Sequence, residues 1–440
     1  MYIFSQNSQY NLSIICDIWA TEKNVYPYFG REDMKKMDSK FLEQIENNFL
    51  IRKIKTVSAI SAGNINSTFK IEAEGANYIL QKINKFVFKK PEQVMQNIRR
   101  VSRFLENKVL KEGGNPKQEV LHPIATLDGT SFFVDDNGEY WRMYDLIDGA
   151  VTYDTIESQE IFYKVGKAFG RFHNRLIDYN AKTLHEAIAD FHNTPKRFRD
   201  FEKALEKDKA GRLKGIEGKA NSPLREVIDY ILSQKEELGI LEEGKTLGKL
   251  PIRVTHNDTK INNVMIDKKT GEPICVIDLD TTGPDTGLVD FGDAIRSGAN
   301  KAGEEPENLT DAKLDIDLFK SYAKGYLSQT LVIDSNGNVN QDPQKGLTEN
   351  EVNLLYKSPK ILTMESVIRF IEDYLNGDEY FKIKPNQPKD INLRRGLAQM
   401  YLAQDMTAKE EKMKKIIEEI VAEESWKMSN FTWYTEKNII

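Results

Sequence analysis

Apolar and polar positions alternate strictly over one stretch near the start of the chain, between two shorter apolar runs. Ile54 to Ile60 leads into Ser-Ala-Gly63-Asn64-Ile-Asn66-Ser-Thr, the alternating run Thr68 to Glu74 follows, and after a Gly-Ala-Asn turn comes Tyr78 to Ile83. A period of two broken by glycine and asparagine predicts strand, turn, strand, turn and strand. A short helical pattern from Phe41 precedes them, whereas residues 1–36 show little periodicity and read as an N-terminal extension.

The period then lengthens. Pro91 opens a helix at its first position, where a missing N–H costs nothing, and Val94, Ile98, Val101 and Leu105 form one apolar stripe expected to pack on the preceding sheet. Strand signals return at Ser131 to Val134, pass the Asp-Asp-Asn-Gly138 turn, and continue through Tyr140 to Tyr144 and Asp145 to Gly149. Beyond Gly149 helical spacing dominates, as in Ile161, Phe162, Val165, Phe169, Phe172 and Leu176. Three short strands interrupt it, at Pro251 to Thr255, Asn263 to Asp267 and Ile274 to Leu279, with a turn at Lys268 to Gly271. A polar loop from Asp334 to Lys345 precedes a capping box at Thr348 and Glu351. The pattern predicts an α+β protein of two lobes: a small antiparallel sheet over 37–146 and a mainly helical part over 147–440.

A length of 440 residues suits such a two-lobed unit with an active site in its cleft, and 40% hydrophobic with 30% charged residues is a globular composition. The 62 basic and 68 acidic residues are mixed along the chain, so no broad positive face is offered to nucleic acid. No apolar run has the length of a bilayer crossing, which argues against a membrane role. The apolar patch Leu12 to Cys16 lacks a basic flank and is interrupted by Asp17, so no signal peptide is read and a cytoplasmic location is expected. Cys16 and Cys275 lie far apart without metal-ligand spacing, and Cys275, in an apolar run, reads as a buried thiol. Oligomeric state is not legible.

The chemistry concentrates in His256-Asn-Asp258-Thr-Lys260-Ile-Asn-Asn263, followed fifteen residues after Asn263 by Asp278 in Val-Ile-Asp-Leu. This spacing suits phosphoryl transfer. Asp258 can align an acceptor hydroxyl and take its proton, while the Asn263 amide and the Asp278 carboxylate are hard oxygen donors of the kind magnesium takes.

These residues resemble the H-x-D-x-x-x-x-N and I-D-L signature of the aminoglycoside phosphotransferase and choline kinase superfamily, relatives of the protein kinases. The resemblance implies a protein-kinase-like two-lobed fold with ATP and Mg²⁺ as cofactors, 37–146 being the nucleotide-binding lobe and 147–440 the catalytic and acceptor lobe. It implies nucleotide contacts from Lys82 at the end of a strand, from the phosphate-covering turn Gly63, Asn64 and Asn66, from Lys260, and from the backbone of the hinge at Asp145 and Ile147. A plain hairpin turn and an edge-strand lysine would look the same. The helix-borne glutamate that usually pairs with the strand lysine is not obvious, Glu92 standing in a first turn that favours acidic residues anyway. Asp290 is the expected brace of the catalytic loop, with Asp293 or Arg296 able to share that task and His256 as further support. His173, on a buried helix, reads as a hydrogen-bonded core histidine.

Within the superfamily the wording is most similar to bacterial N-acetylhexosamine 1-kinases, in Tyr78-Ile-Leu-Gln-Lys-Ile-Asn84, Trp141-Arg-Met-Tyr-Asp-Leu-Ile-Asp-Gly149 and the catalytic loop, from about Ile54 to about residue 405. That resemblance implies phosphoryl transfer to the anomeric hydroxyl of GlcNAc or GalNAc, with Arg369 and Tyr380 beside the sugar. An i,i+4 ion pair of Arg369 with Asp373 and a core tyrosine are the plainer readings of the same residues. A kinase for another small alcohol, such as choline or an aminoglycoside, and a nucleotide-binding pseudokinase remain alternatives.

Overall fold

The computed structural model describes residues 37–60, 65–219 and 221–437. The chain divides into two compact units. The smaller holds the described residues up to Asn84 together with Ile124–Met143, and the larger holds Lys85–Pro123 and the chain from Tyr144 on.

In the smaller unit, α1 (Ser39–Phe49) starts at Asp38, whose carboxylate accepts the Phe41 N–H at 2.9 Å. The strands are β1 (Ile54–Ile60), β2 (Ser67–Ala73), β3 (Ala76–Lys82), β4 (Phe133–Val134) and β5 (Tyr140–Asp145), in the order β1-β2-β3-β5-β4. Antiparallel register sets Phe69 opposite Leu80 and Ser67 opposite Lys82. Because strand side chains alternate, Phe69 and Ile71 fall on one face, where they meet Ile45 and Phe49 of α1 with Leu80, Trp141 and Met143. The predicted strand at Ser131 to Val134 shortens to β4. The Thr130 hydroxyl donates to the Phe132 carbonyl at 2.9 Å, drawing that segment into a turn around Asp128. Similarly the run after Asp145 is no strand, and Gly149 takes a φ of 78° before β6 (Ala150–Val151).

The larger unit contains helices α2 (Pro91–Lys111), α3 (Pro116–Glu119), α4 (Gln159–Arg175), α5 (Thr194–Lys207), α6 (Pro223–Ser233) and α7 (Ile240–Thr246). They are followed by α8 (Gly287–Gly298), α9 (Ile316–Thr330), α10 (Glu349–Leu354), α11 (Ser358–Asn376), α12 (Ile391–Ala408) and α13 (Glu410–Lys437). The stripe predicted for α2 is buried, but the helix groups with this larger unit. Buried Asn97 explains it, donating to the carbonyls of His185 at 2.7 Å and Thr282 at 3.0 Å.

α4 and α9 pack at glycine distance: a Cβ on Gly166 would stand 2.4 Å from the Tyr322 carbonyl, and one on Gly325 only 2.0 Å from that of Tyr163. This approach sets Phe169, Phe291, Tyr322 and Tyr326 into one core around α8. A second core joins α5, α6, α11 and α12 through Phe201, Val227, Ile368 and Met400. Two small sheets complete the unit: β7 (Arg253–Thr255) with β10 (Gly283–Asp285), and β8 (Val264–Asp267) between β6 and β9 (Pro273–Val276). The predicted capping box forms at Thr348 and Glu351, and buried Glu351 also takes Arg253 Nε at 2.6 Å. Among the described residues no helix is long and apolar enough to cross a membrane. Burial pushes the Cys275 thiol up to about 12.

Candidate active site

In the segment between β7 and β8 side chains satisfy much of the backbone. Four consecutive N–H groups each find one. Asp290 Oδ2 accepts from His256 N and its Oδ1 from Asn257 N, both at 2.7 Å. His256 Nδ1 accepts from Asp258 N at 3.3 Å, and Asp293 Oδ2 accepts from Thr259 N at 3.0 Å. Asn257 adopts a φ of 64°, which an asparagine tolerates better than most residues. Both braces lie on α8, one helical turn apart, which is why a Val-Asp-Phe-Gly-Asp sequence can serve one loop.

Asp290 is fully buried and also takes His173 Nε2 at 2.6 Å, while the Tyr326 hydroxyl lies 2.8 Å from His173 Nδ1. His173 therefore supports the brace from α4. Burial works against the Asp293 carboxylate, but Arg296 beside it, and then Lys260, hold it below the usual range. Arg296 spans from Asp293 at 2.8 Å to Glu304 at 2.6 Å.

Asn263 closes the loop. Its Nδ2 donates to the Asp258 carbonyl at 2.9 Å and lies 3.4 Å from Asp258 Oδ2, which leaves the amide oxygen as its acceptor face. The Asn263 carbonyl takes the Ile277 N–H at 2.9 Å, and His256 Nε2 donates to the Ile277 carbonyl at 2.8 Å. Asp278, the next residue, is exposed with a left-handed backbone, φ 59°. The loop and the residue before Asp278 are thus stitched into one element. Lys260 Nζ stands 3.0 Å from Asp258 Oδ1, and that carboxylate holds its ammonium well above the ordinary lysine range.

Further along the larger unit, the Arg369 guanidinium lies over Phe191, Tyr380 and Phe381, at 5.2, 5.7 and 5.5 Å from the ring centroids. No ion pair joins it to Asp373, whose carboxylate instead accepts the N–H groups of Tyr380 at 2.8 Å and Phe381 at 2.9 Å. Tyr380 is 46% exposed and not a core residue. Asp145 ends β5, its N–H donating to the His122 carbonyl, and Ile147 is buried. In the smaller unit Lys82 is the last residue of β3, and Asn66 Oδ1 accepts the Asn84 N–H at 3.0 Å. Gly63, Asn64 and Cys16 lie outside the described residues.

Sequence reasoning passed over His192 and Glu365. Buried His192 sets Nδ1 3.0 Å from Glu365 Oε1 and Nε2 3.2 Å from the Asn257 carbonyl. Glu365 did carry a signal: an acidic residue in the otherwise apolar stripe Ile361 to Ile368. His192 and Phe191 sit in irregular chain and gave none.

Comparison with known proteins gives the family and the fold. The profile described as a phosphotransferase enzyme family matches residues 56–324. Among solved structures, the fold is similar to a microcompartment-associated aminopropanol kinase, with a TM-score of 0.55, 13% identity, and 85% of this chain and 98% of that one covered. It is similar also to an aminoglycoside phosphotransferase from Alicyclobacillus acidocaldarius subsp. acidocaldarius DSM 446, with a TM-score of 0.52, 12% identity, and coverage of 91% and 99%. The fold is a protein-kinase-like α+β fold, and with the family match running over residues 56–324 of 440 the chain belongs to the phosphotransferase enzyme family.

Proposed function

We propose that this protein is an ATP- and magnesium-dependent kinase that transfers the γ-phosphoryl group to the anomeric hydroxyl of an N-acetylhexosamine, giving the sugar 1-phosphate and ADP. The observation that carries the reading is the Asp258 carboxylate, half-buried and held between Lys260 and Asn263 on a loop whose every N–H from 256 to 259 is engaged. A carboxylate so fixed can orient a hydroxyl and accept its proton as the new O–P bond forms and the bond from Pγ to the ADP oxygen breaks.

The Asn263 amide oxygen and the Asp278 carboxylate are hard donors on one stitched element, a set that fits magnesium. When bound, that ion would neutralise phosphate charge. Lys260, already drawn to negative charge, is the proposed partner of the transferred phosphate. In the same reading residues 37–146 form the nucleotide lobe, with Lys82, Asn66, Gly63 and Asn64 toward phosphates and the Asp145 to Ile147 backbone toward adenine. Residues 147–440 carry the catalytic loop and the acceptor site.

Arg369 supports the sugar. Among the described residues it makes no hydrogen bond or ion pair, so its N–H groups remain for hydroxyls or an acetamide oxygen, and Tyr380 offers a ring face to a pyranose. A cationic acceptor such as choline or an aminoglycoside would meet this guanidinium instead of open aromatic faces. ADP release with Mg-ATP and GlcNAc or GalNAc tests the proposal, and Asp258→Asn is expected to lower kcat by about 10²–10⁴-fold. Transfer to choline or kanamycin with none to N-acetylhexosamines would overturn the substrate, and equal ADP release from both proteins would overturn the role of Asp258.

A further inference from the structure

The peptide plane that joins Asn257 to Asp258 is gripped at both edges by histidine. On one edge the Asp258 N–H points at His256 Nδ1 at 3.3 Å, and on the other the Asn257 carbonyl faces His192 Nε2 at 3.2 Å. This plane immediately precedes the carboxylate proposed as the base, so its rotation sets where that carboxylate points.

The two rings are in different states. His256 Nε2 faces a carbonyl and Nδ1 faces an N–H, an arrangement a neutral ring satisfies. His192 faces acceptors at both nitrogens, a carboxylate at Nδ1 and a carbonyl at Nε2, and only the doubly protonated imidazolium can donate to both. Glu365, 2% exposed, supplies the matching charge, its other oxygen accepting from Thr194 Oγ1 at 3.2 Å. Glu365 lies one helical turn before Arg369 on α11, and Phe191, next to His192, stacks under the same guanidinium.

We infer that the His192–Glu365 ion pair is a positioning device that ties the acceptor-side helix α11 to the peptide carrying Asp258. The inference rests on Asp258 acting as the base in the proposed kinase. Its charge state agrees with its surroundings. Burial presses the imidazolium down, but Glu365, then Asp293 on α8 and Asp285 on β10, push His192 up to about 9, and after His192 itself the charges of Arg369 and Arg197 help keep Glu365 ionised. The folded value stands above the ordinary 6.5, so the pair's stabilisation is complete below about 6.5 and is lost as pH rises through about 9.

The test compares the full-length wild type with Glu365→Gln, which keeps an acceptor for Nδ1 but removes the charge, across pH 6–9. Two readings are taken: kcat with Mg-ATP and GlcNAc, and hydrogen exchange of peptides spanning 253–263. In the variant burial acts on the imidazole without the Glu365 charge to oppose it, so the second proton is expected to be lost at a lower pH than in wild type. By pH 8 it should lose about tenfold in kcat, with KM for ATP unchanged and faster exchange confined to the loop. Superimposable pH profiles, or exchange accelerated equally throughout the larger unit, would overturn the inference. If wild type does not phosphorylate GlcNAc, the substrate reading falls, and the exchange profile still decides whether the ion pair holds the loop.

Discussion

The loop from His256 to Asn263 and the segment from Gly377 to Phe381 are fixed by the same device and differ in what it leaves engaged. In both, buried carboxylates capture backbone N–H groups, Asp290 and Asp293 in the first and Asp373 in the second. In the loop proposed as catalytic the side chains are themselves engaged, Asp258 with Lys260 and Asn263 with the Asp258 carbonyl. At the proposed acceptor segment the backbone is fixed while Tyr380 stays half-exposed and Arg369, among the described residues, makes no hydrogen bond or ion pair. Chemistry demands a preorganised group, and recognition demands unsatisfied ones held in place.

The widest separation between the regions should come from their anchors. Asp290→Ala removes from the interior the acceptor of two loop N–H groups and of His173. Losing one partner of such a buried network is expected to cost about 3–5 kcal/mol, read as urea unfolding of the larger unit. Phosphotransfer should fall with it, even at low temperature where the protein remains folded. A variant as stable and active as wild type would show that the loop does not depend on α8.

Next in size is Arg369→Gln. If the guanidinium recognises acceptor oxygens, removing charge-assisted hydrogen bonds of about 1.5–3 kcal/mol should lower kcat/KM for the acceptor by about 10–100-fold. The ADP affinity, measured by calorimetry, should stay unchanged. A loss that appears in nucleotide binding instead would erase the distinction between the two regions.

How much was legible from sequence follows the same line. The loop could be read because its chemistry is local: His256, Asp258, Lys260 and Asn263 sit within eight residues, and Asp278 and Asp290 follow soon after. The strand β2 showed its period of two plainly. The helix at Pro91 was legible as a helix but not in its partner, because Asn97, which ties it to the carbonyls of His185 and Thr282, is silent about distance in the chain. The proposed acceptor side is built from Phe191, Glu365, Arg369, Tyr380 and Phe381, which the packing of α11 against irregular chain brings together. Arg369 and Tyr380 were reached through resemblance. Phe191 and His192 had no periodic or motif signal to offer.

Tyr380→Ala should give the smallest effect and the finest division between the two regions. A ring 46% exposed that covers one face of an acceptor contributes about 0.5–1.5 kcal/mol beyond buried area, or roughly 2–10-fold in acceptor KM. Its backbone N–H, not its side chain, is what Asp373 holds, so the segment should keep its course and thermal stability should be unmoved. Tyr380→Phe should then restore the acceptor KM, since the proposed contact needs the ring face and not the hydroxyl. Failure of that rescue would mean that the hydroxyl, and with it hydrogen bonding in place of stacking, is what the acceptor meets at this position.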